Sequence, residues 1–328
     1  MEDLEQLESE VVALVDKLGR LKKEINKIIV GQGEVIDELL MGLLAKGHIL
    51  IEGMPGLAKT LLIKTLSEAV DLSYKRIQFT PDLMPTDILG TEVIEEEGGH
   101  KTFVYKQGPI FANMVLADEI NRTPPKTQAA LLEVMQEYKV TYGGKDYPMD
   151  APFFLLATQN PIEQSGTFPL PEAQTDRFLL FVRIGYPTEE EETQILRQTT
   201  GKTARNIQSV LKADDIIRLQ DLVREITIDD SLISEVSRMV RRSRPEEGQD
   251  SFIRDHVAYG AGPRAGQAII LSAKAHALLN GRYAVVPADL KKVAYPAMRH
   301  RIVLNFRAES EGMTTDLVID HLLQNFKY

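Results

Sequence analysis

Apolar residues first recur at helical spacing. From Glu5 to Asn26 a charge-rich stretch carries Leu7, Val11, Leu14 and Leu18 as a narrow stripe, which predicts a helix docked on a larger body or on another subunit. From Glu34 to Lys46, Val35, Leu39 and Leu43 share one face with Ile36, Leu40 and Leu44 beside them, the pattern of a core helix. The apolar runs then shorten to strand length: Ile49-Leu50-Ile51, Met114 to Ala117, Phe153 to Ala157 and Leu179 to Ile184, with a strand-like piece from Tyr74 to Thr80. Near-continuous apolar strands with helical segments between them, such as Pro125 to Tyr138, predict a buried parallel sheet and an α/β fold. Two stretches break that rhythm. Thr91 to Lys106 and Lys139 to Pro148 alternate around Gly98-Gly99 and Gly143-Gly144, which predicts two hairpins. The first is either a surface decoration or an insertion that projects from the core to touch a substrate. Past Tyr186-Pro187 the patterns are helical: Glu189 to Gln198, Ala213 to Arg224, the segment after the N-cap signal Asp229-Asp230-Ser231, Ala265 to Leu279, and a helix from Pro287. The boundary between an α/β domain, residues 1–187, and an all-helical domain, residues 188–328, is expected near Pro187.

The chemistry-bearing residues cluster where strands end. After Ile49-Leu50-Ile51 the chain runs Gly53-Met54-Pro55-Gly56-Leu57-Ala58-Lys59-Thr60 and opens a helix. Glycines let backbone N–H groups converge on phosphate oxygens, and the new helix aims its positive end at the same place. If a nucleoside triphosphate is the ligand, Lys59 would supply a point charge for its terminal phosphates and the Thr60 hydroxyl would be one ligand of an octahedral Mg²⁺. Ala58 stands where the usual loop has its second glycine, so a Gly-rich turn without a ligand stays open from this stretch alone. Met114 to Ala117 runs into Asp118-Glu119, and two acids at a strand end are often only loop polarity. Beside Lys59 and Thr60 they take distinct tasks: Asp118 for the metal shell, Glu119 for orienting and polarising an attacking water. The next strand ends in Thr158-Gln159-Asn160, where an amide can bond a phosphate or the water without adding charge. Arg177, just ahead of the last strand, is either an arginine finger or one half of a surface ion pair. Ile29, Val30 and Gly31 precede the loop and are candidates for an adenine pocket.

Composition narrows the classes further. The chain has 328 residues, 43% hydrophobic and 26% charged, which is ordinary for a globular protein with sizeable cores. There is no cysteine, so disulfides and cysteine zinc sites are excluded. A net charge of −10 opposes generic binding to a nucleic-acid backbone. No apolar run reaches the ~20 residues of a bilayer span, and the acidic start MEDLEQLESE has no apolar signal-peptide core. A cytoplasmic protein without a membrane span is expected.

Taken together, GMPGLAKT, VLADE, ATQNP and PEAQTDRF, in that order, resemble an AAA+ ATPase of the MoxR family, in the helix-2-insert clade. NRTPPKTQAALLEVMQE (Asn121 to Glu137) and GTFPLPEAQ (Gly166 to Gln174) fit the same family, so the resemblance covers nearly the whole chain. It implies an AAA+ P-loop αβα sandwich followed by an all-α lid, with ATP and Mg²⁺ as cofactors. Walker A is then Gly53 to Thr60, with Leu61 beside it, and Walker B is Asp118 and Glu119. Sensor 1 is Asn160 and the arginine finger is Arg177. Ala58 is this family's own version of the loop. Pro263 suits a first helical turn, so Arg264 resembles sensor 2, near a phosphate if the lid folds over the nucleotide; spacing alone allows a surface pair equally. Arg299 and Arg301 fit either helix-end electrostatics, which accounts for them, or contact with a neighbouring subunit's nucleotide. The two hairpins resemble the helix-2 insertion and the pre-sensor-1 hairpin, which face the channel of a ring. The resemblance further implies a homo-oligomeric ring, a hexamer, that remodels a protein client, with a von Willebrand factor A domain protein as partner. Three other classes share parts of the pattern: a nucleic-acid motor, the ATPase subunit of a metal chelatase, and a nucleotide-gated scaffold.

Overall fold

The alternation of side chains along five short strands decides the architecture. The computed structural model describes residues 2–97, 100–162, 166–201, 206–247 and 250–326. In chain order, α1 (Glu2–Asn26) and α2 (Gly33–Leu44) lead into β1 (Ile49–Gly53), α3 (Lys59–Ala69), β2 (Tyr74–Gln78) and α4 (Pro85–Leu89). Then come β3 (Gly90–Glu97), β4 (His100–Gln107), β5 (Met114–Asp118), α5 (Pro125–Glu137), β6 (Lys139–Tyr142), β7 (Lys145–Pro148) and β8 (Phe154–Gln159). A short α6 (Glu172–Thr175) precedes β9 (Leu180–Ile184). Strands β2, β5, β8, β1 and β9 pair in that spatial order, all parallel. Ile49 and Ile51 of β1, Leu116 of β5 and Leu156 of β8 point into one apolar cluster with α1, α2 and α3. Their sequence neighbours Leu50, Val115, Ala117 and Leu155 point to the other face, against Leu131, Val134 and Met135 of α5. Strands buried on both faces are what the continuous apolar runs require.

The rest is helical: α7 (Glu189–Thr200), α8 (Ala213–Glu225), α9 (Asp230–Arg242), α10 (Ser251–His256), α11 (Pro263–Leu279), α12 (Pro287–Met298), α13 (Phe306–Ser310) and α14 (Thr315–Gln324). A two-stranded ribbon, β10 (Val257–Tyr259) with β11 (Val303–Leu304), had no counterpart in the hydrophobic pattern. Asp229 caps α9 by accepting the Ser231 N–H at 2.8 Å, as its sequence signalled. The helical half does not form a core of its own. Leu219, Met239, Ile269, Leu290 and Ile319 belong to the same cluster as Leu18, Leu39 and Ile49. Helices α1 and α2 join the halves: Leu14, Leu18, Leu21 and Ile25 are buried within this chain, Lys17 pairs with Asp215 of α8 at 2.8 Å, and Gln220 of α8 donates to the Leu43 carbonyl of α2 at 2.8 Å. Leu7 of the expected stripe lies outside the described side chains.

Glu38 of α2 is a buried carboxyl. Burial pushes its pKa up to about 7, against Arg299 and Lys292, which favour the charged form, while Glu34 and Asp37 add to the rise. Its folded value lies above the unfolded one, so folding favours the protonated form. Stability from this site is full below about pH 4 and is lost as pH rises through about 7. Glu38→Gln is expected to leave the melting temperature nearly unchanged near pH 4. Near pH 8 it should stabilise the chain by roughly 3 kcal/mol; equal shifts at both pH values in thermal scans would refute this.

The two hairpins form as read, although the Gly98-Gly99 turn of the first lies outside the described residues. In β3–β4, Ile94 faces Phe103 across the pair, and both are exposed, at 59% and 73%. The hairpins touch one another. Tyr105 of β4 stacks on Tyr142 of β6 with centroids 4.9 Å apart and lies 4.4 Å from Tyr147 of β7. At the base of the first hairpin a Cβ on Gly90 would meet the Lys106 carbonyl oxygen at 2.3 Å, so only glycine fits.

Candidate active site

All the strand-end chemistry meets at the carboxyl edge of the sheet, where parallel α/β folds bind ligands. Strand β1 hands the chain to the loop, and Gly53 lies so close to β9 that a Cβ would stand 3.1 Å from that of Ile184. The left-handed turn is made further along, at Gly56 (φ 83°) and Ala58 (φ 57°). Gly53 therefore serves close packing and not backbone reversal. Ala58 holds, at a cost of about 1 kcal/mol, a conformation that glycine adopts freely, and strain of this kind collects at functional turns. Lys59 opens α3, and its ammonium donates to the carbonyls of Gly53 and, at 3.3 Å, Met54. Burial lowers its pKa, opposed by the charges of Asp118, Glu119 and Glu52, so the lysine stands among acids. Thr60 is half-buried beside it.

Next to β1 is β8, and next to β8 is β5, which carries the two acids. Asp118 is buried; its Oδ1 accepts the Thr158 hydroxyl at 2.6 Å, and its Oδ2 accepts Arg76 Nε and Nη2 at 2.9 and 2.6 Å. Glu119 adopts φ 58°, an unfavourable backbone for a side chain of its size, and its N–H donates to Thr158 Oγ1 at 2.9 Å. Its Oε2 accepts Gln78 Nε2 at 2.7 Å and Arg122 Nη1 at 2.9 Å. Four residues that hold the acids, Arg76, Gln78, Arg122 and Thr158, were not picked out from sequence. One signal was present: Arg76 and Gln78 are polar residues of an otherwise strand-like segment, and the parallel register sets Gln78 beside Asp118. Asn160 follows β8, is buried, and accepts the Ile162 N–H at 3.2 Å. With Glu52, Asn121 and Gln159 it lines a cleft of about 450 Å³.

A second cavity of about 660 Å³ opens beside the loop. Ile28, Ile29 and Val30 line it from one side, Pro55 to Ala58 and Leu61 from another, and Tyr186, Ile195 and Leu196 close it. Its size and apolar walls suit a purine nucleoside. Val30 is where an adenine contact was expected, but Gly31 and Met54 do not line the cavity. Gly31 makes a left-handed turn (φ 67°), and a Cβ there would run into the Glu191 carboxylate. The α7 wall escaped the sequence reading because its lining residues sit in a segment dominated by glutamates.

The four candidate arginines differ in what they touch. Arg177 is exposed, and its side chain makes no hydrogen bond or ion pair among the described residues. Arg264, at the start of α11, is half-exposed and makes the surface pair that its spacing allowed: its Nη1 lies 3.4 Å from Asp176 Oδ2, next door to Arg177. Arg299 pairs with Asp316 at 2.7 Å. Arg301 is buried, with 3% of its side chain exposed, and bonds Asp176 Oδ1 at 2.8 Å. Both are therefore engaged inside the chain. Helix-end electrostatics does not account for a guanidinium buried in that way, and contact with another subunit's nucleotide is closed to it.

The residues fit the ligands that the loop pattern implies. Left-handed turns at Gly56 and Ala58 shape a concave loop for phosphate. Thr60 and Asp118 carry the hard oxygens that Mg²⁺ prefers, and in this structure Asp118 Oδ2 accepts from Arg76.

Residues 48–180 match the family described as "ATPase family associated with various cellular activities (AAA)", and residues 249–322 match an AAA lid domain. The chain is 44% identical to "Chaperone MoxR1" of Mycobacterium tuberculosis over 96% of this chain and 83% of that protein. It is 31% identical to "Protein MoxR" of Paracoccus denitrificans over 86% and 87% of the two chains. A crystal structure of a candidate ATPase from Cytophaga hutchinsonii superimposes with a TM-score of 0.92 at 41% identity, covering 99% of this chain and 98% of that one. The five-stranded parallel sheet, the helical lid and these relatives make this chain an ATP-hydrolysing member of the MoxR family of AAA+ ATPases.

Proposed function

We propose that this protein is a Mg²⁺-dependent ATPase that assembles as a homo-oligomeric ring, a hexamer, and uses ATP cleavage to remodel a protein client or protein complex. A von Willebrand factor A domain protein is its proposed partner, and the cytoplasm its compartment. The division of labour puts nucleotide chemistry in residues 1–187 and the lid in residues 188–328. One observation carries the reading: three adjacent strands, β1, β8 and β5, bring the loop with Lys59, the amide of Asn160, and Asp118 with Glu119 to one edge of one sheet.

In this account the backbone N–H groups from Gly53 to Ala58 bind the phosphates, Lys59 and Thr60 flank them, and Val30 and Leu61 hold the base. Mg²⁺, when bound, supplies positive charge to the phosphate oxygens. Thr60 and Asp118 are the residues that would hold it. Glu119 leaves Gln78 and Arg122 to accept a proton from the attacking water, and Asn160 orients that water. Arg177 acts on the neighbouring protomer's nucleotide, and Arg264 beside it reads phosphate too. The trans assignment is supported by the exposure of Arg177 and by the absence of a hydrogen-bond or ion-pair partner for its side chain among the described residues. The exposed Ile94 and Phe103 suit contact with an unfolded or partly folded client.

Isothermal titration of the purified chain with ATP and Mg²⁺ is expected to show one site per protomer. Glu119→Gln protein loaded with ATP should sediment as a ring and retain its client for identification. No heat with any adenine nucleotide would end the nucleotide reading; binding without assembly or retained protein would end the remodelling one.

A further inference from the structure

The segment that carries Arg177 is welded to the lid. Arg301, just past α12, spends all five of its N–H donors inside the chain. Nε donates to Asp176 Oδ1 at 2.8 Å. One Nη2 proton goes to the Asp176 carbonyl at 3.0 Å and the other to the Phe178 carbonyl at 2.6 Å. Nη1 donates to the Leu179 carbonyl at 3.1 Å and to the Ala297 carbonyl at the end of α12. Carbonyls on both sides of Arg177 are therefore held by one rigid guanidinium, whose planar fork fixes direction as well as distance. His300 adds Nε2 to the Phe178 carbonyl at 3.1 Å, and burial, aided by the Arg301 charge, keeps that imidazole neutral. The second carboxylate oxygen of Asp176 faces Arg264 Nη1 at 3.4 Å, so α11 grips the same segment. Immediately downstream, β9 leads into Tyr186 and Pro187, which line the nucleoside cavity. Arg177 itself is left exposed between these anchors.

We infer that Arg301, through Asp176 and the 176–179 backbone, is the positioning residue for Arg177, making the finger part of the lid so that the lid of one protomer sets the arginine it offers to the next. The inference rests on reading Arg177 as acting across a protomer boundary. It assigns Arg301 no contact with nucleotide in either subunit.

The test uses full-length chains in mixed rings. Wild-type protein is mixed with a roughly threefold excess of Glu119→Gln protein, which cannot turn over and so serves only as a donor of fingers. A second mixture uses Glu119→Gln/Arg177→Ala, and a third Glu119→Gln/Arg301→Lys, which keeps the charge and loses the fork. With random mixing, about a quarter of wild-type sites keep an intact donor in the second and third mixtures. Turnover per wild-type subunit should then fall about fourfold below the first mixture in both. Co-sedimentation with tagged wild-type protein shows that each variant enters rings, and the Arg301→Lys chain alone should bind a fluorescent ATP analogue within about twofold of wild type. A purely structural role would weaken that binding or exclude the variant from rings, and would overturn the inference. If Arg301→Lys fails to fold, Asp176→Asn takes its place and must give the same loss in trans. A silent third mixture beside an impaired second one refutes the inference and leaves the finger intact. A silent second mixture refutes instead the trans role of Arg177.

Discussion

Arg177→Ala is expected to lower the turnover of the assembled protein by about 10³-fold or more, while leaving ATP affinity and ring size unchanged. An arginine finger contributes by meeting charge that develops on the transferring phosphoryl group, so its removal falls on kcat and not on ground-state binding. The side chain is exposed and unpaired among the described residues, so truncating it breaks no internal contact and costs little stability. That separates it from its neighbours. Asp176 and Phe178 are tied down by Arg301, and their loss would confound stability with catalysis. The measurement is steady-state ATP hydrolysis against protein concentration, with sedimentation in parallel. Wild-type turnover per subunit should climb as rings form, and the variant's should stay flat. A variant that matches wild type in the assembled state removes Arg177 from the mechanism.

What could be read from the sequence, and what could not, follows from the range of the interactions. The P-loop, the two acids and Asn160 are each local: an apolar run must end where chemistry begins, and the order of such ends is enough to align them on one edge. Ala58 was legible as a departure, and what the sequence could not show is that this alanine sits at φ 57°, a conformation glycine adopts more easily. The residues that hold the acids come from a different strand, and only the β2–β5 register brings Arg76 and Gln78 to them. Arg301 lies 125 positions from Asp176 along the chain, and no periodicity reports a buried guanidinium wrapped by carbonyls. The lid's place was equally hidden. Its helices read correctly as amphipathic, but an apolar stripe does not say which surface it meets, and α1 and α2 merge the expected second core with the first.

Glu119→Gln is expected to cut turnover by about 10²–10⁴-fold with ATP still bound. The amide keeps the size and shape of the carboxylate, so it retains a hydrogen bond with Gln78 in one orientation, but it cannot take a proton from water. The backbone argues that this position is built for more than a salt bridge. Glu119 is held at φ 58° by the hydroxyl of Thr158, which accepts its N–H and donates to Asp118. One threonine thus sets both acids, and a strained main chain persists only where its surroundings over-determine it. In this structure Gln78 and Arg122 both donate to Oε2 of the carboxylate, and in the proposed mechanism that carboxylate turns to the attacking water. Gln78→Ala is therefore the informative companion: it removes one of the two groups that hold Glu119, leaves Arg122 in place and does not alter the carboxylate's chemistry, and turnover should stay within about tenfold of wild type while Glu119→Gln loses far more. Single-turnover hydrolysis with prebound ATP reads both without interference from product release. If Glu119→Gln cleaves at the wild-type rate, the proton acceptor is another group, and Asp118, already committed to Arg76 and Thr158, is the next to examine.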